Sequence, residues 1–142
     1  MKALRPETAM RALLLEDSEI AAATQGKILR GAAPQKGERP YGVFSRIRTE
    51  SHQNMNGPSG LFEVDVMFAW CGIEFDDLGD LAFMAEDVLD GARGVITVGA
   101  RGIEMDSCYL LDDRDGDIQI PDGSEKPIYC IEQIYRAAFR RL

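Results

Sequence analysis

The cleanest pattern in the chain runs from Leu61 to Cys71. Phe62, Val64, Val66, Phe68 and Trp70 fall on one face, and Glu63, Asp65, Met67 and Ala69 on the other. Period two with bulky and β-branched residues marks a strand buried on one side. Tyr41 to Thr49 also alternates, with Tyr41, Val43 and Ile47 on one face against Arg46, Arg48 and Glu50 on the other. The two strands are expected to pair antiparallel through a long polar hairpin loop, Glu50 to Gly60. At Phe75 the period changes. Phe75, Leu78, Leu81, Ala82, Ala85, Val88 and Leu89 recur at steps of three and four, an amphipathic helix that should lie across the apolar face of the sheet. Asp76 and Asp77 suit its positive N-terminal end, and Gly91 suits a left-handed residue just past its C-terminus.

The flanks are shorter elements. Pro6 is placed for the first turn of a helix, carrying the stripe Met10, Leu13 and Leu14. Asp17 or Ser18 can cap a second short helix that Gly26 ends. Lys27 to Arg30 reads as a short strand, and Gly31 to Arg39 as loop broken by Pro34 and Gly37. Val95 to Val98 reads as a short strand. Arg101 to Leu111 alternates, with Ile103, Met105, Tyr109 and Leu111 on one side. Asp112 to Lys126 reads as an acidic turn. The last segment fits two periods: Ile131, Ile134, Tyr135, Ala138 and Phe139 make a helical stripe, while Tyr129, Ile131, Tyr135 and Phe139 share a strand face. The fold class is α+β, a mainly antiparallel β-sheet with an amphipathic helix packed on one face and short N-terminal helices.

Composition narrows the function classes. A chain of 142 residues, 45% hydrophobic, suits one globular domain spanning residues 1–142. No apolar run approaches the ~20 residues that cross a bilayer, so no membrane partner is expected. The start, Met1-Lys2-Ala3-Leu4-Arg5-Pro6, lacks the apolar stretch of a secretory signal. The net charge of −8 argues against a tight grip on DNA, which rests on Lys and Arg displacing counterions. Cys71, Cys108 and Cys130 are odd in number and lack C-x-x-C spacing, so neither zinc nor a disulfide framework is expected. Buried reduced thiols are the simpler reading.

No constellation of catalytic residues emerges. His52, the sole histidine, sits beside Ser51 in the polar loop, and adjacent side chains seldom face each other. Asp112-Asp113-Arg114-Asp115-Gly116-Asp117 has the look of a calcium loop. Counted from Asp113, however, the positions that need Gly and Glu hold Ile118 and Ser124. The glycines Gly91, Gly94, Gly99 and Gly102 have no Lys-Ser or Lys-Thr after them, so they form no phosphate cradle. No catalytic residue, metal or cofactor is therefore assigned, and the chain is expected not to be an enzyme. Lys2, Arg5 and Arg11 would form a basic patch with Arg136, Arg140 and Arg141 if the termini meet, a counterpart for the acidic segment.

One ordered set of short pieces resembles a known family. Gly26-Lys27-Ile28, Ala33-Pro34-Gln35, Pro40-Tyr41, Gly57-Pro58-Ser59-Gly60-Leu61 and a helix closing on Leu89-Asp90-Gly91 follow one another as in the tail-completion, or tail-terminator, proteins of long-tailed phages and gene transfer agents. Each piece is mostly turn chemistry; their order and spacing carry the resemblance. Ala22-Ala23-Thr24-Gln25, where a bulkier apolar residue is usual, and the long acidic segment depart from the pattern. The resemblance implies a C-terminal strand and a structural virion protein assembled in the host cytoplasm. It implies a ring, hexameric to match the tail tube, at the head-proximal end of the tail. The ring would stop tube growth and offer a surface for head–tail joining. Its partners would be further copies of itself, the tail tube protein and a head–tail connector or stopper protein, with DNA passing through the lumen without tight binding. The alternative is a monomeric binding or assembly-regulatory domain without enzymatic activity. Candidate interface residues are Glu50, Ser51, His52, Gln53, Asn54, Met55 and Asn56 in the hairpin, and Asp112, Asp113, Asp115 and Asp117 in the acidic segment.

Overall fold

The structure, a computed structural model, describes residues 2–31, 40–54, 57–120 and 126–142, with only the backbone at 51–54 and 57–59. Its elements are β1 (Lys2–Ala3), α1 (Pro6–Glu16), α2 (Ser18–Thr24), β2 (Ile28–Arg30), β3 (Tyr41–Asn54), β4 (Gly57–Gly72), α3 (Phe75–Leu89), β5 (Gly94–Val98), β6 (Arg101–Asp115) and β7 (Tyr129–Arg140). The strands form one sheet in the order β1-β6-β7-β4-β3-β2, with β5 on β6. The long pairs β3–β4, β4–β7 and β6–β7 are antiparallel, and only the short β1 and β2 pair parallel. Arg101 and Gly102 pair with β5 along one edge and with β1 along the other. β1 therefore lies in line with the end of β7, and the two ends of the chain meet there.

Local chemistry sets the helices. Pro6 opens α1 at a position where its missing N–H costs nothing. The Asp17 carboxylate accepts from the Glu19 and Ile20 N–H groups, both at 3.0 Å, and caps α2. Past the end of α3, Gly91 takes φ +82° and its N–H donates to the Cys108 carbonyl at 2.8 Å. The Asp90 carboxylate accepts the Leu110 N–H at 3.1 Å. The end of α3 thus occupies hydrogen-bonding groups on the edge of β6 that β5 leaves open.

The helices cover one face of the sheet. Val64, Val66, Phe68 and Trp70 of β4 are fully buried against Leu78, Leu81, Ala85 and Leu89 of α3, and Met10, Leu14, Tyr135 and Phe139 complete the core. Phe68 stacks between Phe44 and Trp70 at centroid distances of 5.8 Å on both sides. A Cβ on Gly42 would stand 2.7 Å from the Trp70 ring, so this position of β3 admits no side chain. The buried Gln133 is fully used. Its carbonyl accepts from Trp70 Nε1 and the Tyr135 hydroxyl, and its amide donates to the Ala82 carbonyl and to Asp113. The opposite face carries a charge network. Asp65, only 5% exposed, accepts from Arg48 Nε at 3.0 Å and from Arg136 Nε and Nη2 at 2.9 and 3.0 Å.

Several sequence expectations change. β3 and β6, on either side of the central pair β4 and β7, carry bulges, and a bulge adds a residue and swaps the inward and outward faces beyond it. In β3 the expected faces are reversed already before its bulge between Arg46 and Arg48: Gly42 and Phe44 turn to the helices, Tyr41 and Val43 pack with Cys71 and Cys130 on the opposite face, and Ile47, at the bulge, is 52% exposed. The β6 bulge lies between Met105 and Ser107, so Ile103 and Met105 point inward as expected, but Cys108 replaces Tyr109 there and Tyr109 and Leu111 face out. The acidic turn begins later than expected, because β6 continues through Asp115 on ladder pairs to β7. The C-terminal segment is a strand, with Ile131, Gln133, Tyr135, Ala137 and Phe139 inward. The family pieces at Ala33-Pro34-Gln35 and the acidic segment at 121–125 lie outside the described residues.

Candidate functional site

Three surfaces concentrate the candidate residues. The first is the β3–β4 hairpin. The long loop expected from Glu50 to Gly60 is instead a paired ribbon, with Glu50 opposite Glu63, Ser51 opposite Phe62 and Asn54 opposite Gly57. Only Met55 and Asn56 lie between the strand ends, and these two are outside the described residues. His52 stands where the ladder register shifts, between Ser51 and Gln53. Ladder hydrogen bonds need no apolar side chains, which is why a polar sequence read as loop forms strand. β7 ends at Arg140, opposite Leu61, so beyond it β4 has only β3 beside it, with Gly57 and Pro58 opposite Asn54 and Gln53. The ribbon projects past the sheet by roughly four residues, or about 13 Å.

The second surface is a cleft at the base of that ribbon, about 300 Å³ in volume, where the sheet runs on beyond the helical layer. Leu4, Phe62 and Ile103 are apolar parts of its wall, and Arg5, Arg46 and Arg141 stand around it. The Arg141 guanidinium lies over the Phe62 ring at 5.7 Å. Arg5 is shared with Glu7 at 3.2 Å. Burial pushes the Glu7 carboxyl up, but its own backbone N–H and the Arg30 and Arg5 guanidiniums outweigh that and hold it below the usual carboxylate range. Among the described residues, no ion pair engages Arg46 or Arg141. The basic patch expected from the termini is thus real but differently composed. Arg11 turns inward, donating to the Ile28 carbonyl at 2.6 Å, and Arg136 is committed to Asp65. Arg46 was missed, because the alternation put it on the solvent side of β3 with nothing to mark its partners.

The third surface is the far end of β6. Its acidic residues divide into two kinds. Asp112 lies 3.5 Å from Arg114, which also reaches Glu132, and Asp113 accepts from Gln133. Asp115 and Asp117 are exposed and, among the described residues, without an ion pair. Beside them Ile118 and Ile120 are 61% and 73% exposed, a large apolar area for two neighbouring side chains. β6 runs from the cleft at Ile103 to Asp115, a span of about 40 Å at strand rise. The arginine cleft and the acidic, apolar end of one chain therefore cannot touch each other.

Among the described residues no group of three or more His, Cys, Asp or Glu side chains is placed to hold a metal ion. Among the described residues no helix is long and apolar enough to cross a membrane.

No protein-family model matches this sequence, and a comparison with curated proteins gave no match. Solved structures did match. One is a chain of the virion of a native gene transfer agent particle, with a TM-score of 0.67 over 95% of this chain and 94% of that one, at 16% identity. At that identity the likeness is one of fold.

Proposed function

We propose that this chain is a structural virion protein, a tail terminator. It forms a hexameric ring at the head-proximal end of a tail tube, ends tube growth and presents the surface for head–tail joining. The observation that carries the reading is the shared fold with a gene transfer agent virion chain across nearly the whole of both chains. The sequence resemblance to tail-completion proteins points the same way and was reached from different features.

The surfaces supply a means of assembly. A patch that meets a different patch on the next copy makes a head-to-tail contact, and such contacts close into rings when the rotation between copies divides a full turn. The arginine cleft and the Asp115–Ile120 end differ in charge sign, both carry apolar surface, and they sit at opposite ends of the same strand. In this reading Asp115 and Asp117 of one copy meet Arg46 and Arg141 of the next, and Ile118 enters the apolar cleft. The ribbon from Glu50 to Gly60 reaches past the ring to the last layer of tube protein. DNA passes through the lumen without tight binding, in keeping with a net charge of −8. The protein carries no catalysis in this role.

Removing the protein from particle-producing cells tests the reading. Tails of uncontrolled length and unjoined heads are expected, along with six-fold rings from the purified protein alone or on tube ends. Normal particles in its absence, or a protein that stays monomeric even with tube protein, would sink the proposal.

A further inference from the structure

Cys71 and Cys130, 59 positions apart in sequence, face each other across β4 and β7 as direct register partners. Which kind of antiparallel pair they form follows from the hydrogen bonds around them. The Cys130 carbonyl accepts the Gly116 N–H at 2.8 Å, so its backbone groups turn toward the β6 side. Next to them on β3, Gly42 donates to the Lys27 carbonyl toward β2, so its neighbour Tyr41 turns its own groups toward Cys71. Cys71 and Cys130 are therefore a non-hydrogen-bonded pair. In such pairs the Cα atoms stand about 4.5 Å apart and the side chains are at their closest. That spacing lies inside the range a disulfide spans.

The surroundings leave room for reaction. Both thiols are free, yet they line an open cleft of about 290 Å³ with Tyr41, Asp117 and Glu132. A Cβ on Gly116 would lie 3.1 Å from the Cys130 Cβ, so the glycine keeps the space over this cysteine clear. Cys108 sits apart from them, in the main core under the helices.

We propose that Cys71 and Cys130 form an oxidisable dithiol that closes to a cross-strand disulfide when the protein meets a disulfide oxidant. The hydrogen bond between the two thiols favours ionisation of Cys130 and, with burial, raises the Cys71 pKa. The Cys130 thiolate attacks one sulfur of the oxidant RSSR, giving a mixed disulfide and releasing RS⁻. Cys71 then loses its proton and attacks the Cys130 sulfur, expelling the second RS⁻. Two protein thiols become one disulfide, and one RSSR becomes two thiols. In a reducing cytoplasm the pair stays open, and outside it the pair joins β4 to β7 covalently. The inference does not depend on the assembly role.

The test uses the full chain, folded, with oxidised glutathione. After incubation the protein is denatured without reductant, alkylated and weighed, and its peptides are mapped. One alkylated cysteine, Cys108, is expected, with a Cys71–Cys130 linked peptide that dithiothreitol abolishes. Cys71→Ser should leave a lasting glutathione adduct on Cys130, and Cys108→Ala should change nothing. Three alkylated cysteines after prolonged oxidation would overturn the proposal. So would a stable glutathione adduct on the unmutated chain, or linkage only between separate chains. The unmutated protein alone decides these outcomes, so a variant that fails to fold does not rescue the idea.

Discussion

The Trp70 indole N–H donates to the Gln133 side-chain carbonyl at 2.9 Å in the centre of the core. The same oxygen accepts the Tyr135 hydroxyl, and the Gln133 amide reaches the Ala82 carbonyl in α3. One fully satisfied polar side chain thereby joins β4, β7 and the helical layer. Gln133→Leu keeps the volume but leaves the Trp70 and Tyr135 donors buried without partners. Each such group costs about 1–3 kcal/mol. The variant should lose about 2–6 kcal/mol in urea unfolding, and an unchanged midpoint would show that the network contributes nothing.

The charge network on the other face sets a pH dependence. Hydrogen bonding to Arg136 holds the Asp65 carboxyl below its usual range, against burial and with help from Arg48. A depressed folded pKa means that the stabilisation is present above the unfolded value of about 3.9 and lost as pH falls through the folded one. Stability should therefore drop steadily as pH is lowered below about 4. Asp65→Asn should be less stable at neutral pH and show a shallower acid loss, the remainder coming from Glu7, whose pKa is also lowered. Thermal melts of both proteins across this range check it. Parallel curves would mean that Asp65 is not the group responsible.

How much of this was legible in the sequence depended on where the strands bulge. β4 has unbroken register against β7, so its alternation from Phe62 to Trp70 gave the core face directly. β6 carries a bulge at Met105/Ser107, beyond which Cys108 and not Tyr109 faces the core, and in β3 the apolar Tyr41 and Val43 belong to a small cluster on the face away from the helices, so the alternation there pointed to the wrong side. Nothing in a local pattern marks a bulge, because it is settled by partners distant in sequence. The same holds for the candidate site. The acidic segment was legible as charge, but the surface proposed to meet it required Arg5, Arg46 and Arg141 to converge from three separate parts of the chain. The Cys71–Cys130 pairing was hidden for the same reason.

The proposed head-to-tail contact predicts a charge exchange. Arg46 is exposed and pairs with none of the described carboxylates, so Arg46→Glu should leave folding intact while weakening ring formation. The like charge would then face Asp115 and Asp117 of the next copy. Asp117→Arg alone should weaken it too, and the two changes together should restore it. Native mass spectrometry with electron microscopy of rings reads all four proteins. Two defects that simply add, with no restoration, would place the subunit contact elsewhere.

The hairpin makes the sharpest distinction between folding and assembly. Its outer part, from Ser51 to Gly60, extends beyond the Leu61–Arg140 pair and is laddered only within the hairpin. A two-stranded ribbon has little stability of its own, so a projecting one is most useful when another surface completes it. Replacing residues 53–60 with Asn-Gly keeps the Ser51–Phe62 and Leu61–Arg140 pairs, sets His52 opposite Leu61 and closes the strands with a two-residue turn of the kind hairpins favour. The shortened protein should melt within a few degrees of the parent and still form rings, since the cleft and the acidic end are retained. Under the proposed role, particle assembly should fail in a specific way, with tails of uncontrolled length or heads left unjoined, because the shortened ribbon could not reach the tube. If particles carrying the shortened ribbon assemble normally, the arm has no role in stopping the tube. If instead the protein no longer folds, the ribbon belongs to the core of the sheet, against the ladder described above.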